Sequence, residues 1–169
     1  MERIEKAILH DISLDGIAPK PHQPKSPVDH WSRPVLLERA AYLREMARHG
    51  DGSASETLKD YPQHSAMLSF RSRSGEVEVH ECFADLFVVL SGAATLVTGG
   101  AVTGARTVAP GETRGALIEG GTPHNLRPGD VAHVPAGTPH QMLLKGDETI
   151  TCLVLKVHEV VEARLKTPQ

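Results

Sequence analysis

Four side chains carry the chemistry of this chain: Glu78, His80, Asp85 and His140. Glu78 and His80 are two residues apart in Val77-Glu78-Val79-His80. On a β-strand they share one face while Val77 and Val79 share the other. A turn through Cys82-Phe83-Ala84 brings Asp85 onto the next strand. His140 opens a strand far along the chain, after the tight turn Pro135-Ala136-Gly137-Thr138-Pro139. A closed barrel can bring all four together. Two imidazoles with one or two carboxylates suit Fe(II), Mn(II), Ni(II), Co(II) or Zn(II). His80, Asp85 and His140 alone make a two-His-one-carboxylate triad, with positions open to water, substrate or oxygen. A carboxylate such as Glu78 can also move a proton.

The elements that position these groups are mostly strands. From Ser53 onward, short apolar or alternating runs are split by Gly, Pro and Asp at regular intervals. The runs fall near 54–59, 64–73, 75–82, 85–91, 93–98, 105–109, 114–118, 131–134, 140–145 and 149–158. This reads as an all-β barrel domain over 53–169. Residues 1–52 form an N-terminal unit. Its first part is an extended arm with Pro19, Pro21, Pro24 and Pro27. Ser32-Arg33-Pro34 then opens one amphipathic helix, with Ser32 as cap and Pro34 in the first turn. Val35, Leu36, Ala40, Leu43, Met46 and Ala47 give it an apolar face, and Gly50 stops it. It is expected to pack on the outside of the barrel. A second helical pattern is faint and confined to the last dozen residues.

Composition narrows the function. The 169 residues suit one domain with an extra segment, and 40% apolar residues suffice for an ordinary core. The formal net charge is −3, and no Lys/Arg run marks a nucleic-acid footprint. No apolar run reaches the roughly 18 residues of a membrane span. The charged start, Met1-Glu2-Arg3-Ile4-Glu5-Lys6, lacks a signal-peptide core, so a cytoplasmic location is expected. The 2 cysteines, Cys82 and Cys152, are expected to be free thiols in or near the core.

The motifs resemble those of the cupins, small barrels of jelly-roll type. Gly129-x5-Pro135-x-Gly137-x2-His140 is similar to the second cupin signature. Glu78-x-His80-x4-Asp85-x6-Gly92 looks like the first, which usually reads His-x-His, three or four residues, Glu, six residues, Gly. The resemblance covers about residues 64–157. It implies a jelly-roll barrel with metal held by His80, Asp85 and His140, and with Glu78 where the family's first His stands. A second register takes His80 and Cys82 as the histidine pair, followed by Asp85. Some cupins have lost ligands and bind no metal, and Glu78 could mark such a loss.

Cupins catalyse dioxygenation, isomerisation, decarboxylation and lyase reactions. The resemblance therefore implies a small-molecule ligand and, first among enzymes, oxygenase-type chemistry. The alternative is a non-catalytic or metal-free binding module; a structural or assembly role for the arm and helix is the weakest option. Cupin barrels commonly pair through outer strands, so a homodimer is expected.

Other residues carry weaker signals. Gly121-Thr122-Pro123-His124 repeats Gly137-Thr138-Pro139-His140 without the longer frame, and His124 reads as a turn or rim residue. His133 reads as a hydrogen-bonded barrel histidine, and His64 as a residue reaching solvent or a neighbour. His10, His22, His30, His49 and His158 read as surface residues. Arg71 and Arg73 read as a solvated strand face. They could instead meet an acidic ligand. The segment 99–111 reads as a long hairpin connection or a lid.

Overall fold

A computed structural model describes residues 28–159. The Pro19–Pro27 arm, His10, His22 and most of the faint C-terminal helical pattern lie outside the described residues. Helix α1 (Arg33–His49) comes first. Thirteen strands follow: β1 (Ser53–Asp60), β2 (His64–Arg71), β3 (Val77–His80), β4 (Phe83–Gly92), β5 (Ala94–Thr98), β6 (Ala101–Thr103), β7 (Arg106–Ala109), β8 (Glu112–Gly115), β9 (Leu117–Glu119), β10 (Thr122–Leu126), β11 (Val131–Val134), β12 (His140–Leu143) and β13 (Ile150–His158). They form a five-stranded sheet, β1-β2-β13-β4-β11, and a six-stranded sheet, β10-β5-β12-β3-β8-β7, with β6 and β9 as a separate pair. The ladders are antiparallel, so alternate side chains face alternate sides. Val89, Leu96, Leu126, Val134, Met142, Ile150, Cys152 and Val154 fill the space between the two sheets. The result is the barrel expected from the alternating runs, of the jelly-roll type that the resemblance implies.

The helix builds a second core on the outside. Leu36, Ala40, Leu43 and Ala47 form a stripe at helical spacing. They pack on Leu58, Ala66, Leu68, Phe70 and Leu90 from β1, β2 and β4. Full burial of Leu43 contributes about 1.5–3 kcal/mol. Val35 and Met46 were expected on this face, but both are 43% exposed because they lie one position off the stripe. Ser32 holds the N-cap position without a side-chain hydrogen bond. Pro34 explains this, since it removes one of the two amides that a cap side chain reaches. Gly50 stops the helix as expected, its N–H donating to the Ala47 carbonyl at 3.3 Å, and Gly52, with a φ of +91°, makes the left-handed turn two residues on.

Strand β2 shows how the two cores share one sheet. Ala66, Leu68 and Phe70 face the helix. Met67, Ser69 and Arg71 line the barrel interior. Arg71 is therefore inside, whereas Arg73 lies past the strand end and is exposed. Arg39 ties the helix to β1 through Glu56, at 2.6 and 2.7 Å from its Nε.

Two parts of the strand map differ from expectation. The segment after Gly99 is not a plain connection: β6 pairs with β9, β7 with β8, and β8 extends the sheet beyond β3. The expected strand at 114–118 is split into β8 and β9 around Ala116. At Gly115 a side chain would collide with Val102, so this crossing needs glycine. Strand β10 replaces the turn expected around His124. Pro123 hides it in the sequence, because proline cannot donate to a ladder. It is tolerated here because β10 is the sheet edge and pairs only with β5.

Candidate functional site

Strand register assembles the candidate site. His140 on β12 stands opposite Glu78 on β3. Asp85 on β4 stands opposite Lys156 on β13. Residues from both sheets meet inside the barrel. His80 Nε2 lies 3.4 Å from Glu78 Oε2 and 3.3 Å from Asp85 Oδ2. His140 Nε2 lies 3.4 Å from the same Asp85 oxygen. His80, Asp85 and His140 are all buried, and Glu78 is half-buried.

Both rings are fixed by their other nitrogen. Nδ1 of His80 donates to Glu112 Oε2 at 2.6 Å. Nδ1 of His140 donates to the Thr138 carbonyl at 3.1 Å, across the turn that precedes β12. Each Nε2 is thereby directed at the carboxylates. A carboxylate or carbonyl on the far nitrogen is the support that metal-ligating histidines usually have. Glu78, His80 and His140 each offer a donor atom, and these three lie within 4.8 Å of one another. Donors bound to one ion at about 2.0–2.2 Å stand at most about 4.4 Å apart. The three residues fit one first-row divalent ion with slight closing.

Positive groups crowd the same place. Lys156 Nζ sits 2.8 Å from Asp85 Oδ1 and 3.0 Å from His80 Nε2. Arg71 Nη2 lies 3.2 Å from Glu78 Oε1, and Arg114 Nη2 lies 3.6 Å from Glu78 Oε2. Burial opposes the charge on each carboxylate, but these partners overcome it. Glu78 is held at about 2 by His80, Arg114 and Arg71. Asp85 is held far below the ordinary carboxylate range by His140, His80 and Lys156. Burial likewise disfavours a charged His80, yet Asp85 and Glu78 raise it to about 9. Without metal the His80 ring is therefore protonated at neutral pH. It then donates from Nε2 to a carboxylate and stands beside a like-charged Lys156. Only a neutral ring could accept from that ammonium.

Lys156, Glu112 and Arg114 were not anticipated. Lys156 follows Ile150, Cys152 and Val154 at a period of two, and that spacing already places it inside. Glu112 and Arg114 alternate on β8, directly opposite His80 and Glu78. Cys82 is exposed in the turn before β4, outside this cluster, so the expectation of a core thiol fails for it. Cys152 is buried, and burial pushes its thiol up to about 12. His124 is an exposed strand residue whose Nε2 lies 3.0 Å from Thr98 Oγ1. His133 is exposed and lies 3.5 Å from Glu159. His64 stacks on Tyr61, and His30, His49 and His158 are exposed.

The cluster opens into a cavity of about 290 Å³. Met67, Phe87, Leu96, Met142, Ile150, Cys152 and Val154 make its apolar wall. Arg71, Glu76, Glu78, Arg114 and Lys156 make its charged part. This is the small end of the usual ligand-pocket range. A second cavity of about 430 Å³ lies between the sheet edges at β10 and β11 and includes His124 and His133. Among the described residues, no helix is long and apolar enough to cross a membrane.

Known proteins share this architecture. A cupin-domain family model matches residues 105–156. A Klebsiella pneumoniae protein with a double-stranded β-helix domain has a similar structure, with a TM-score of 0.52 at 16% identity. That match covers 79% of this chain and 91% of the other. A Thermus thermophilus protein gives a TM-score of 0.49 at 19% identity, over 69% of this chain and 93% of its own. No curated protein sequence matches the chain significantly. The chain has the double-stranded β-helix fold of the Klebsiella protein, and its segment 105–156 is similar to the cupin domain.

Proposed function

We propose that this chain is a cupin that binds a divalent transition metal through His80 and His140 with the carboxylates Asp85 and Glu78, and acts on a small organic molecule in the barrel. One observation carries the reading. Both histidines have Nδ1 committed to an acceptor and Nε2 turned toward the carboxylates. A bound ion would supply Lewis-acid chemistry, and Fe(II) on this donor set suits oxygenase-type reactions. The residues around it have separate tasks. Glu112 holds His80 in the tautomer that presents Nε2. Asp85, kept ionised by Lys156 and facing Nε2 of both histidines, offers the ion a carboxylate. Glu78 serves as ligand or, in its alternative role, as the proton-moving carboxylate. The apolar wall limits water around the reacting group. Metal analysis of protein purified without added metal tests the proposal. A stoichiometric metal that disappears in His80→Ala and His140→Ala is the expected result. No metal at all, in a protein that still folds and binds small molecules, would sink it.

A second reading is favoured by Lys156. Its ammonium lies where it can neutralise Asp85 without an ion. In that case the barrel is a metal-free module for small molecules. The proposal also includes a homodimer, for which the exposed Val131 on the edge strand β11 offers apolar surface. A monomeric mass by light scattering would remove that part.

A further inference from the structure

The pocket holds more fixed positive charge than a metal site needs. Arg71, Arg114 and Lys156 all line the one cavity. Their carboxylate partners are Glu78, Glu112 and Asp85. With a neutral His80, as a metal ligand must be, these three cations and three anions balance, and Glu76, which also lines the cavity, is paired with Arg106. Lys156 belongs to Asp85, and Arg114 reaches Glu112 Oε2 at 3.3 Å as well as Glu78. Glu78 is thus shared by two guanidiniums and His80. If Glu78 turns its charge to a metal, Arg71 and Arg114 lose the carboxylate they share. A divalent ion then leaves the pocket with an excess of two positive charges. Burying guanidinium groups without counter-charge is costly, so this arrangement calls for an anion.

We infer that the ligand of this barrel is a small organic acid, its carboxylate held by Arg71 and Arg114 and its apolar body lying against Met67, Phe87 and Met142. Arginine suits this task because its planar fork matches a carboxylate, which lysine does not. The two side chains come from different sheets, β2 and β8, and converge on Glu78 from both sides. They are about a quarter exposed, at 26% and 25%, so an entering ligand can reach them. The apolar wall requires more than a bare inorganic anion to fill it. Strand β8 gains a purpose from this assignment. It adds Arg114 to the pocket rather than merely linking β5 to β10.

The inference rests on the metal proposal, because Glu78 frees the arginines by ligating. Its test uses benzoate and benzamide, an acid and an uncharged molecule of the same shape, titrated calorimetrically into Mn(II)-treated and metal-free protein. Benzoate is expected to bind the Mn(II)-treated protein about tenfold or more tightly than benzamide, as charge-assisted hydrogen bonds predict. That preference is expected to vanish in Arg71→Gln and Arg114→Gln and to persist in part in Arg71→Lys. Equal binding of the two probes, or no saturable binding of either to a protein that holds Mn(II), overturns the inference and leaves the metal proposal standing. A benzoate preference retained in the Arg71→Gln/Arg114→Gln double variant also overturns it, since the acid would then be held by the metal alone. If no Mn(II) binds while arginine-dependent benzoate binding persists, the metal proposal falls, and the acid site stands on the arginines alone, with the ligand rather than a metal displacing Glu78 from them. The comparison of probes on the unaltered protein needs no variant to fold.

Discussion

Lys156 and Asp85 face each other across β13 and β4, and the ammonium lies 2.8 Å from Oδ1 inside the barrel. This pair sets the competition between lysine and metal for the same carboxylate and imidazole. Replacing Lys156 with Met keeps the volume and removes the charge. The expected result is a rise in Mn(II) or Zn(II) affinity of about tenfold, an energy of ~1.4 kcal/mol. Calorimetric titration of the folded variant would check it. A fall in affinity would mean that Lys156 supports the site instead of competing for it.

Glu112 tests the positioning of His80. It touches the ring at Nδ1, on the side away from the candidate ligands. Loss of such a partner typically costs about 10–100-fold in metal affinity. Glu112→Gln is expected to fall in that range while thermal stability changes little. Gln can accept the same hydrogen bond, so it removes the charge and keeps the geometry. Unchanged metal affinity would show that orientation alone matters.

The two thiols differ in access. Cys82 is exposed, whereas Cys152 is buried and its thiol is pushed up to about 12. A thiol reagent at mildly alkaline pH is expected to label one site in the native protein and both after denaturation. Cys82→Ser should abolish the native reaction. The same variant separates the two ligand registers read from sequence. Metal loss in Cys82→Ser but not in Glu78→Ala would reverse the proposed ligand set.

The outer core has its own test. Leu43, on the buried face of the helix, is 1% exposed. Leu43→Ala is expected to cost about 2–5 kcal/mol in unfolding free energy. Metal binding, on the other side of the sheet, should persist below the lowered melting temperature. Parallel loss of both at low temperature would mean that the helix shapes the site.

Much of this was legible in the sequence, for a simple reason. Period-two alternation tells which strand residues share a face, and turn residues tell where a strand ends. Glu78 with His80, and His140 after its Gly-Thr-Pro turn, follow from those two rules. Lys156 met the same rule through Ile150, Cys152 and Val154, but its partner did not. Asp85 lies 71 residues away, and only strand order makes them neighbours. Glu112 was hidden beside the Pro110-Gly111 turn, and Arg114, though inside the expected run 114–118, carries no local sign that it stands opposite Glu78. Pro123 masked β10 because edge strands tolerate what central strands reject. Local pattern gives faces and ends; pairing between distant strands decides which faces meet.

Acid and alkali should each weaken the metal-free protein through identifiable groups. Glu78 is held at about 2 in the folded chain, against an ordinary value of 4.5. A depressed carboxylate contributes stability above its unfolded value and loses it as the pH falls. The loss therefore begins near 4.5 and runs down through about 2. His80 works in the opposite direction. It is raised to about 9 from 6.5, so its contribution is complete below 6.5 and fades as the pH rises through about 9. Cys152 adds to the alkaline loss, because unfolding lets its thiol ionise from 9.0 rather than from about 12. These groups together place the stability maximum between 4.5 and 6.5. Melting curves across the pH range in chelator-treated buffer would check this. Glu78→Gln is expected to flatten part of the acid side, the rest being carried by Asp85, and part of the alkaline side, since Glu78 also helps to hold the proton on His80. An unchanged acid side in that variant would mean that Glu78 is not ionised against Arg71 and Arg114 in the folded protein.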